Sequence, residues 1–200
     1  MKEVLLTILR DKNTDIEKFR RTSEKLAYLL AQEASDYLEK ENIKIQTPLC
    51  EADGVKIKND IILIPILRSA IALLQPFLTF FQKAKVGFLG LKRDEKTAVA
   101  NMYYKNFPNF SKNDDVIILD PMIATGGSGE KAIEILKKEG VLEEKIIFVA
   151  VITSYSGVTR LKNKFPKIKL FYVQEDKELN KNKFIIPGLG DFGDRYFGTF

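Results

Sequence analysis

The chain has 200 residues, 45% of them hydrophobic and 30% charged, with 12 glycines and 7 prolines, the make-up of one ordinary globular domain. Its 32 Lys and Arg against 27 Asp and Glu leave a net charge of +5, which suits an anionic small molecule but falls short of a dedicated nucleic-acid footprint. The absence of histidine excludes Ser-His-Asp and Cys-His hydrolysis, His-ligated zinc or haem and phosphohistidine transfer, while a single Cys50 excludes an intrachain disulfide and points to a reducing, cytoplasmic setting.

The opening MKEVLLTILRDKNTD has too short an apolar run for a signal peptide and no small-residue cleavage site. From about Asp15 to Glu39, Ile16, Phe19, Ser23, Leu26, Leu30, Ala34 and Tyr37 recur at three- and four-residue steps, which predicts a helix. Thr14 and Glu17 have the spacing of a capping box at its start. A variable stretch follows, with Pro48 and Asp53-Gly54 as turn signals. Residues 61–81 are long and apolar enough to raise a membrane question, but Arg68 sits near the middle and Pro65 and Pro76 interrupt the run. They read instead as a buried strand, Ile61–Leu67, and a helix, Ser69–Phe81.

Val86–Leu91 predicts a strand, and 92–114 is polar and aromatic without a clear period. Val116–Leu119 is a short apolar strand, followed by a helix over Glu130–Lys138 with Gly140 in the C-cap position. Then come a strand over Ile146–Thr153, a helix over Gly157–Phe165 starting after Ser156, and a strand over Lys169–Val173. Residues 180–200 are glycine-rich and show neither period. Short apolar runs separated by helices imply an α/β fold, a mostly parallel sheet flanked by helices, in one domain spanning 1–200.

The segment from Val116 to Ser128 carries the most chemistry. In an open parallel sheet ligands sit at the carboxyl ends of strands, and Asp120 stands at such an end. The turn Ala124-Thr125-Gly126-Gly127-Ser128 lacks bulky side chains, so backbone N–H groups, two hydroxyls and a helix N-terminus can converge on a phosphate. An acid just before that turn can accept from the vicinal hydroxyls of a sugar. No GK[ST] follows, so this is not a Walker loop. The plainer alternative is a tight strand-to-helix turn that uses glycine for geometry alone.

The run Asp120-Pro121-Met122-Ile123-Ala124-Thr125-Gly126-Gly127-Ser128 resembles the phosphoribosyl-diphosphate (PRPP) loop of uracil phosphoribosyltransferases, which have one acid followed by proline. The resemblance extends over nearly the whole chain, including Leu9-Arg10-Asp11-Lys12-Asn13-Thr14, Phe19-Arg20 and Gln32-Glu33-Ala34. It implies a type I phosphoribosyltransferase fold with a small hood formed by irregular and terminal segments. Residues 43–60 are shorter than the family usually has, Thr153–Gly157 replaces a common Ala-Pro-Glu-Gly, and Phe165 stands where a His-Pro pair is usual.

Arg68 ends an apolar strand, where a guanidinium is costly unless it meets an anion; a salt bridge to some acid would also serve. Pro65-Ile66-Leu67-Arg68-Ser69 is similar to the family's diphosphate loop, which implies that Arg68 holds the leaving group. Arg93 corresponds to a second PRPP-binding arginine, although composition alone makes it a solvated loop charge. Residues 101–107 lie where the family has a segment that closes over the site, and there Tyr103 and Tyr104 could equally be packing residues.

Gly188-Leu189-Gly190-Asp191-Phe192-Gly193 is a literal G-x-G-x-x-G, but no following helix or later acid is expected, so it is not a dinucleotide fingerprint. Glycines allow backbone to approach a flat ligand closely. A fixed loop of backbone N–H and C=O groups can read uracil's acceptor–donor–acceptor edge and reject cytosine. The stretch Phe184–Thr199 is similar to the family's uracil-binding tail. The resemblance implies base contacts from Ile185, Gly190, Asp191 and Phe192, with Asp191 also near PRPP.

The implied reaction is uracil plus PRPP giving UMP and diphosphate, a step of pyrimidine salvage. Without histidine it depends on positioning and leaving-group charge stabilisation by Arg68, Arg93 and Mg²⁺ held mainly through PRPP. Asp120 would fix the ribose hydroxyls, residues Pro121 to Ser128 would hold the phosphate end, and Asp191 would orient the N1 proton. The resemblance also implies a homo-oligomer, dimer or tetramer, and a possible GTP effector, with no stable nucleic acid and no membrane. Two rival readings are a phosphoribosyltransferase for orotate or a purine, and an RNA-binding regulator using the lysines of 162–169 and 177–183.

Overall fold

A computed structural model describes residues 1–93 and 100–199. In chain order the elements are α1 (Lys2–Arg10), α2 (Ile16–Tyr37), β1 (Lys40–Gln46), β2 (Glu51–Ile57), β3 (Ile61–Leu67) and α3 (Ile71–Phe80). Next come β4 (Lys85–Val86), β5 (Phe88–Arg93), β6 (Ala100–Asn106), β7 (Asp115–Leu119), β8 (Met122–Ile123) and α4 (Gly127–Lys138). The chain continues with β9 (Ile146–Val149), β10 (Ile152–Ser154), α5 (Tyr155–Lys164), β11 (Lys169–Phe171) and β12 (Gln174–Asp176). It closes with β13 (Glu178–Leu179), β14 (Ile185–Ile186) and α6 (Phe192–Phe197).

The central sheet runs in the order β11-β9-β7-β3-β5-β6, with β4 also paired to β3. All its pairs are parallel except β5–β6, so the sheet is mostly parallel as the apolar runs imply. β3 and β7 lie at the centre, in register from Ile61 opposite Asp115 to Pro65 opposite Leu119. Successive residues of β7 point to opposite faces: Ile117 and Leu119 join the core under α1, α2 and α3, while Val116 and Ile118 join the core under α4 and α5. Both faces are thereby sealed by helices.

Several sequence expectations change in detail. Helix α2 is capped by Asp15, whose carboxylate accepts from Lys18 N at 2.7 Å, and not by the Thr14–Glu17 box. Thr14 instead donates its hydroxyl to Ile8 O at 2.7 Å, turning the chain between the first two helices. The stretch after α2 is the antiparallel hairpin β1–β2, and Asp53-Gly54 lies inside its second strand. The strand expected over Ile146–Thr153 is divided: β9 stays in the central sheet, whereas β10 joins a small parallel sheet ordered β12-β10-β8. The crossing is held by Ala150 N donating to Phe171 O at 2.8 Å and Val151 N to Pro121 O at 2.9 Å.

The segment expected to close over the site is strand β6, laddered antiparallel to β5. A Cβ built on Gly90 would lie 2.6 Å from the Tyr103 ring, so Tyr103 is seated directly on the β5 backbone. The C-terminal stretch holds the short hairpin β13–β14 and helix α6, which begins inside the glycine motif at Phe192. The single Cys50 is exposed and free, and no helix of the described residues is long and apolar enough to cross a membrane.

Candidate active site

At the carboxyl edge of β3 and β7 lies a cavity of about 330 Å³. One side is lined by Ile66 and Leu67 at the end of β3, Ser69 just beyond it, and Asp120, Met122, Ala124 and Ser128 after β7. The facing side is Asn182–Ile185 and Gly190–Gly193. The structure thus brings the proposed phosphate turn, the start of the Arg68 loop and the glycine-rich tail to one space.

The phosphate turn is built by close backbone packing. Helix α4 begins at Gly127, three residues earlier than its apolar stripe suggests, with Gly126 as N-cap at φ +76°. Its first-turn amides, which have no partner one turn back, therefore fall within the Thr125–Gly129 turn beside the cavity. A Cβ on Gly126 would sit 2.9 Å from Gly157 O, and one on Gly157 would sit 2.4 Å from Ala124 O. Neither position admits a side chain without moving the turn. Ser154, the N-cap of α5, ties it down by donating to Ala124 O at 2.5 Å while accepting from Gly157 N at 3.0 Å. Asp120 Oδ1 accepts from Met122 N at 3.3 Å, which directs the carboxylate along the start of the loop.

Arg68 lies at the rim with its side chain 63% exposed. Its Nη2 is 3.9 Å from Asp194 Oδ1 and its guanidinium is 6.0 Å from the Phe197 ring centroid. The charge is therefore largely solvated, and the burial cost expected at a strand end does not arise. Arg93 ends β5, the next strand along the sheet, but its side chain lies outside the described residues.

In the tail, Ile185 and Phe192 are buried and Gly190 and Asp191 line the cavity. Asp191 caps α6, accepting from Asp194 N at 2.8 Å through Oδ1. Phe192 packs edge-on against Phe19 at 5.2 Å and stacks on Tyr196 at 6.1 Å, so its ring anchors the tail to α2. Burial pushes the Tyr196 phenol above its ordinary value.

A sequence model of the family described as uracil phosphoribosyltransferase matches residues 2–199. The chain belongs to the uracil phosphoribosyltransferase family. The uracil phosphoribosyltransferase of Campylobacter concisus is 40% identical over 194 residues, covering 97% of this chain and 92% of that protein. That of Mycoplasma genitalium is 38% identical, with 97% and 93% covered. Among solved structures, a protein of Aquifex aeolicus superposes with a TM-score of 0.91 at 34% identity, covering 99% of this chain and 94% of that one. A hypoxanthine-guanine phosphoribosyltransferase of Bacillus anthracis, at 10% identity and TM-score 0.53 with 80% of each chain covered, shares the fold. With its family, the chain is a pentosyltransferase of the type I phosphoribosyltransferase fold.

Sequence reasoning gave no role to three residues that hold the tail: Arg10, Asp176 and Arg195. Arg195 donates through Nη1 to Leu189 O at 2.8 Å and to Leu9 O, and through Nη2 to Asp11 O at 2.7 Å, while lying 4.5 Å from the Phe19 ring centroid. Burial pulls its guanidinium below the usual value. Arg10 and Arg195 stand in stretches that match the family, but only the structure shows their partners. The lysines weighed for RNA binding are in part engaged: Lys164 bonds Glu130 and Glu134, Lys167 lies 3.7 Å from Glu144, and Lys169 sits on the Tyr37 ring.

Proposed function

We propose that this cavity is where PRPP and uracil meet and that UMP and diphosphate form there. One observation carries the reading: Asp120 and Ser128 line one side of a cavity whose other side is formed by Ile185 and Gly190–Phe192. A sugar held through its hydroxyls and 5′-phosphate on the first side presents C1′ to a base held on the second.

In this reading Asp120 accepts from the ribose hydroxyls, and Pro121, Met122, Ile123 and Ala124 carry the chain into the phosphate turn. Thr125, Gly126, Gly127 and Ser128 donate backbone and hydroxyl hydrogens to the 5′-phosphate. Arg68 at the rim, with Arg93 from the neighbouring strand, takes up charge on the departing diphosphate. As the C1′–O bond breaks, its electron pair goes to diphosphate; the N1–C1′ bond forms, and the N1 proton passes to the departing diphosphate or to solvent, with Asp191 orienting that N–H. Backbone groups around Ile185, Gly190 and Phe192 read the uracil edge. The barrier falls by positioning and electrostatics.

The residues also suit Mg²⁺. Asp120 supplies one hard oxygen ligand at the cavity, and Mg²⁺ characteristically takes one or two carboxylates with waters and substrate phosphates. When bound, the ion would neutralise diphosphate charge. GTP as an effector and assembly as a dimer or tetramer rest on the family resemblance alone. A cytoplasmic setting is supported by the lone, unpaired Cys50.

Asp120→Asn and Arg68→Ala proteins should fold yet lose UMP synthesis by at least about 100-fold, in line with removal of a charge-stabilising group. Turnover like the wild type in both would sink the site assignment. A competition among uracil, cytosine, orotate and hypoxanthine, with PRPP and Mg²⁺, should give UMP alone. Nucleotide formed from hypoxanthine or orotate instead would overturn the substrate reading.

A further inference from the structure

The tail that faces the cavity is gripped from outside it by one ion pair. Arg10, the last residue of α1, donates Nη1 to Asp176 Oδ2 at 2.9 Å and Nη2 to Asp176 Oδ1 at 2.7 Å, a two-point pairing. The same Nη1 reaches Gly188 O at 3.1 Å, and Gly188 N donates to Asp176 Oδ2 at 2.9 Å. Both backbone groups of Gly188 are thus held by the two members of a single pair. Asp176 is 6% exposed and Arg10 23%, so water competes weakly for either. Gly188 has φ +60°, and a Cβ there would lie 2.1 Å from Ile185 O, so this position admits glycine alone. One residue on, Leu189 is buried and its carbonyl is held by Arg195; one further, Gly190 lines the cavity.

We propose that Arg10 and Asp176 are positioning residues for base recognition, fixing Gly188 so that the 190–192 backbone is already in place before uracil arrives. The inference rests on the reading of Ile185–Phe192 as the base site. Neither residue is among those lining the cavity. Their effect passes through the backbone: an edge read by main-chain donors and acceptors discriminates only if that main chain cannot shift to suit another base. A loosened loop pays for its ordering when the base binds, which appears in the affinity for uracil and not in the handling of PRPP.

The test is steady-state kinetics of Arg10→Gln, Arg10→Lys and Asp176→Asn, with Gly190→Ala as a control for the base site. The clamp variants should raise KM for uracil about tenfold, the scale of one lost charged hydrogen bond, and leave KM for PRPP within about twofold. Arg10→Lys, which keeps charge but not the fork, should recover only part of the loss. The double variant Arg10→Gln/Asp176→Asn should be no worse than the more damaged single variant, because the two act as one unit. If Gly190→Ala leaves KM for uracil unchanged, the base-site reading itself fails. If Gly190→Ala raises it while the clamp variants shift both KM values equally or lower only thermal stability, the positioning role fails. Hydrogen exchange on the wild-type protein gives a check independent of folding by the variants. The amide of Gly188, which donates to Asp176, should be protected without uracil, and free exchange there that slows only when uracil is added would overturn the proposal.

Discussion

Lys183 stands at the tip of the β13–β14 hairpin with φ +65°, a backbone region in which an L side chain costs about 1–2 kcal/mol. Asn180 organises that tip, its Oδ1 accepting from Asn182 N at 2.9 Å and Phe184 N at 3.0 Å. Lys183→Gly removes the side-chain penalty and returns part of the gain through the freer unfolded chain. A net stabilisation of about 0.5–1 kcal/mol should remain. It should raise the melting temperature by about 2 °C. An unchanged or lower melting temperature would mean that the lysine carries the conformation without strain. Single residues were unevenly legible in the sequence. Asp120 could be singled out because an acid at the end of a fully apolar strand has no packing reason to be there. Asp176 could not, because the partner that gives it meaning lies 166 residues away. Thr14 and Asp15 show a subtler failure: both can cap a helix, and the hydrogen bond of Thr14 to Ile8 decides between them.

Helices α4 and α5 are tied beside the phosphate turn by Glu130, which accepts from Arg160 Nε at 2.5 Å and Lys164 Nζ at 2.8 Å. Those two hydrogen bonds, from Arg160 first and then Lys164, outweigh burial and hold the Glu130 carboxyl below its ordinary value. A depressed folded value means that the tie contributes fully above the unfolded glutamate pKa, about 4.3, and is lost as pH falls through the folded value. Glu130→Gln should therefore be less stable than wild type in urea at pH 6, and the gap should shrink progressively below about pH 4. A gap that is constant with pH would assign the loss to packing. Elements were legible where one physical signal dominated. β3 and β7 are buried on both faces and so read as unbroken apolar runs. Strand β6 is mostly exposed, with polar and aromatic side chains on both faces and no alternation to detect, while in the mostly exposed hairpin β1–β2 the alternation is confined to Ile43–Ile45 and Val55–Ile57. α6 is six residues long and starts among glycines, too short for a helical period to emerge. α1 does bury Leu5, Leu6 and Leu9, but that stripe spans little more than one turn.

At the scale of the whole molecule, two cores share one sheet, and over its strands β3, β7 and β9 neither face is left to solvent. Ile117 and Ile118 are adjacent and fully buried, yet belong to different cores. Ile117→Ala and Ile118→Ala should each cost about 2–5 kcal/mol in denaturant unfolding, since each leaves a cavity that its helices can only partly fill. A cost below about 1 kcal/mol in either would show that its face is loosely packed. The sheet has a further consequence. β7, β3 and β5 are neighbours, and in the proposed arrangement the 5′-phosphate and ribose sit above β7, the diphosphate above β3, and its far end toward β5. Strands in a ladder are about 4.8 Å apart, so the three strand ends mark off about 10 Å in two equal steps. The sheet edge is then a ruler laid along the sugar diphosphate, graduated by backbone hydrogen bonds that no side-chain exchange can rescale. Drift in the tail can change which base is accepted, while the length of donor that fits stays fixed by the strands beneath it.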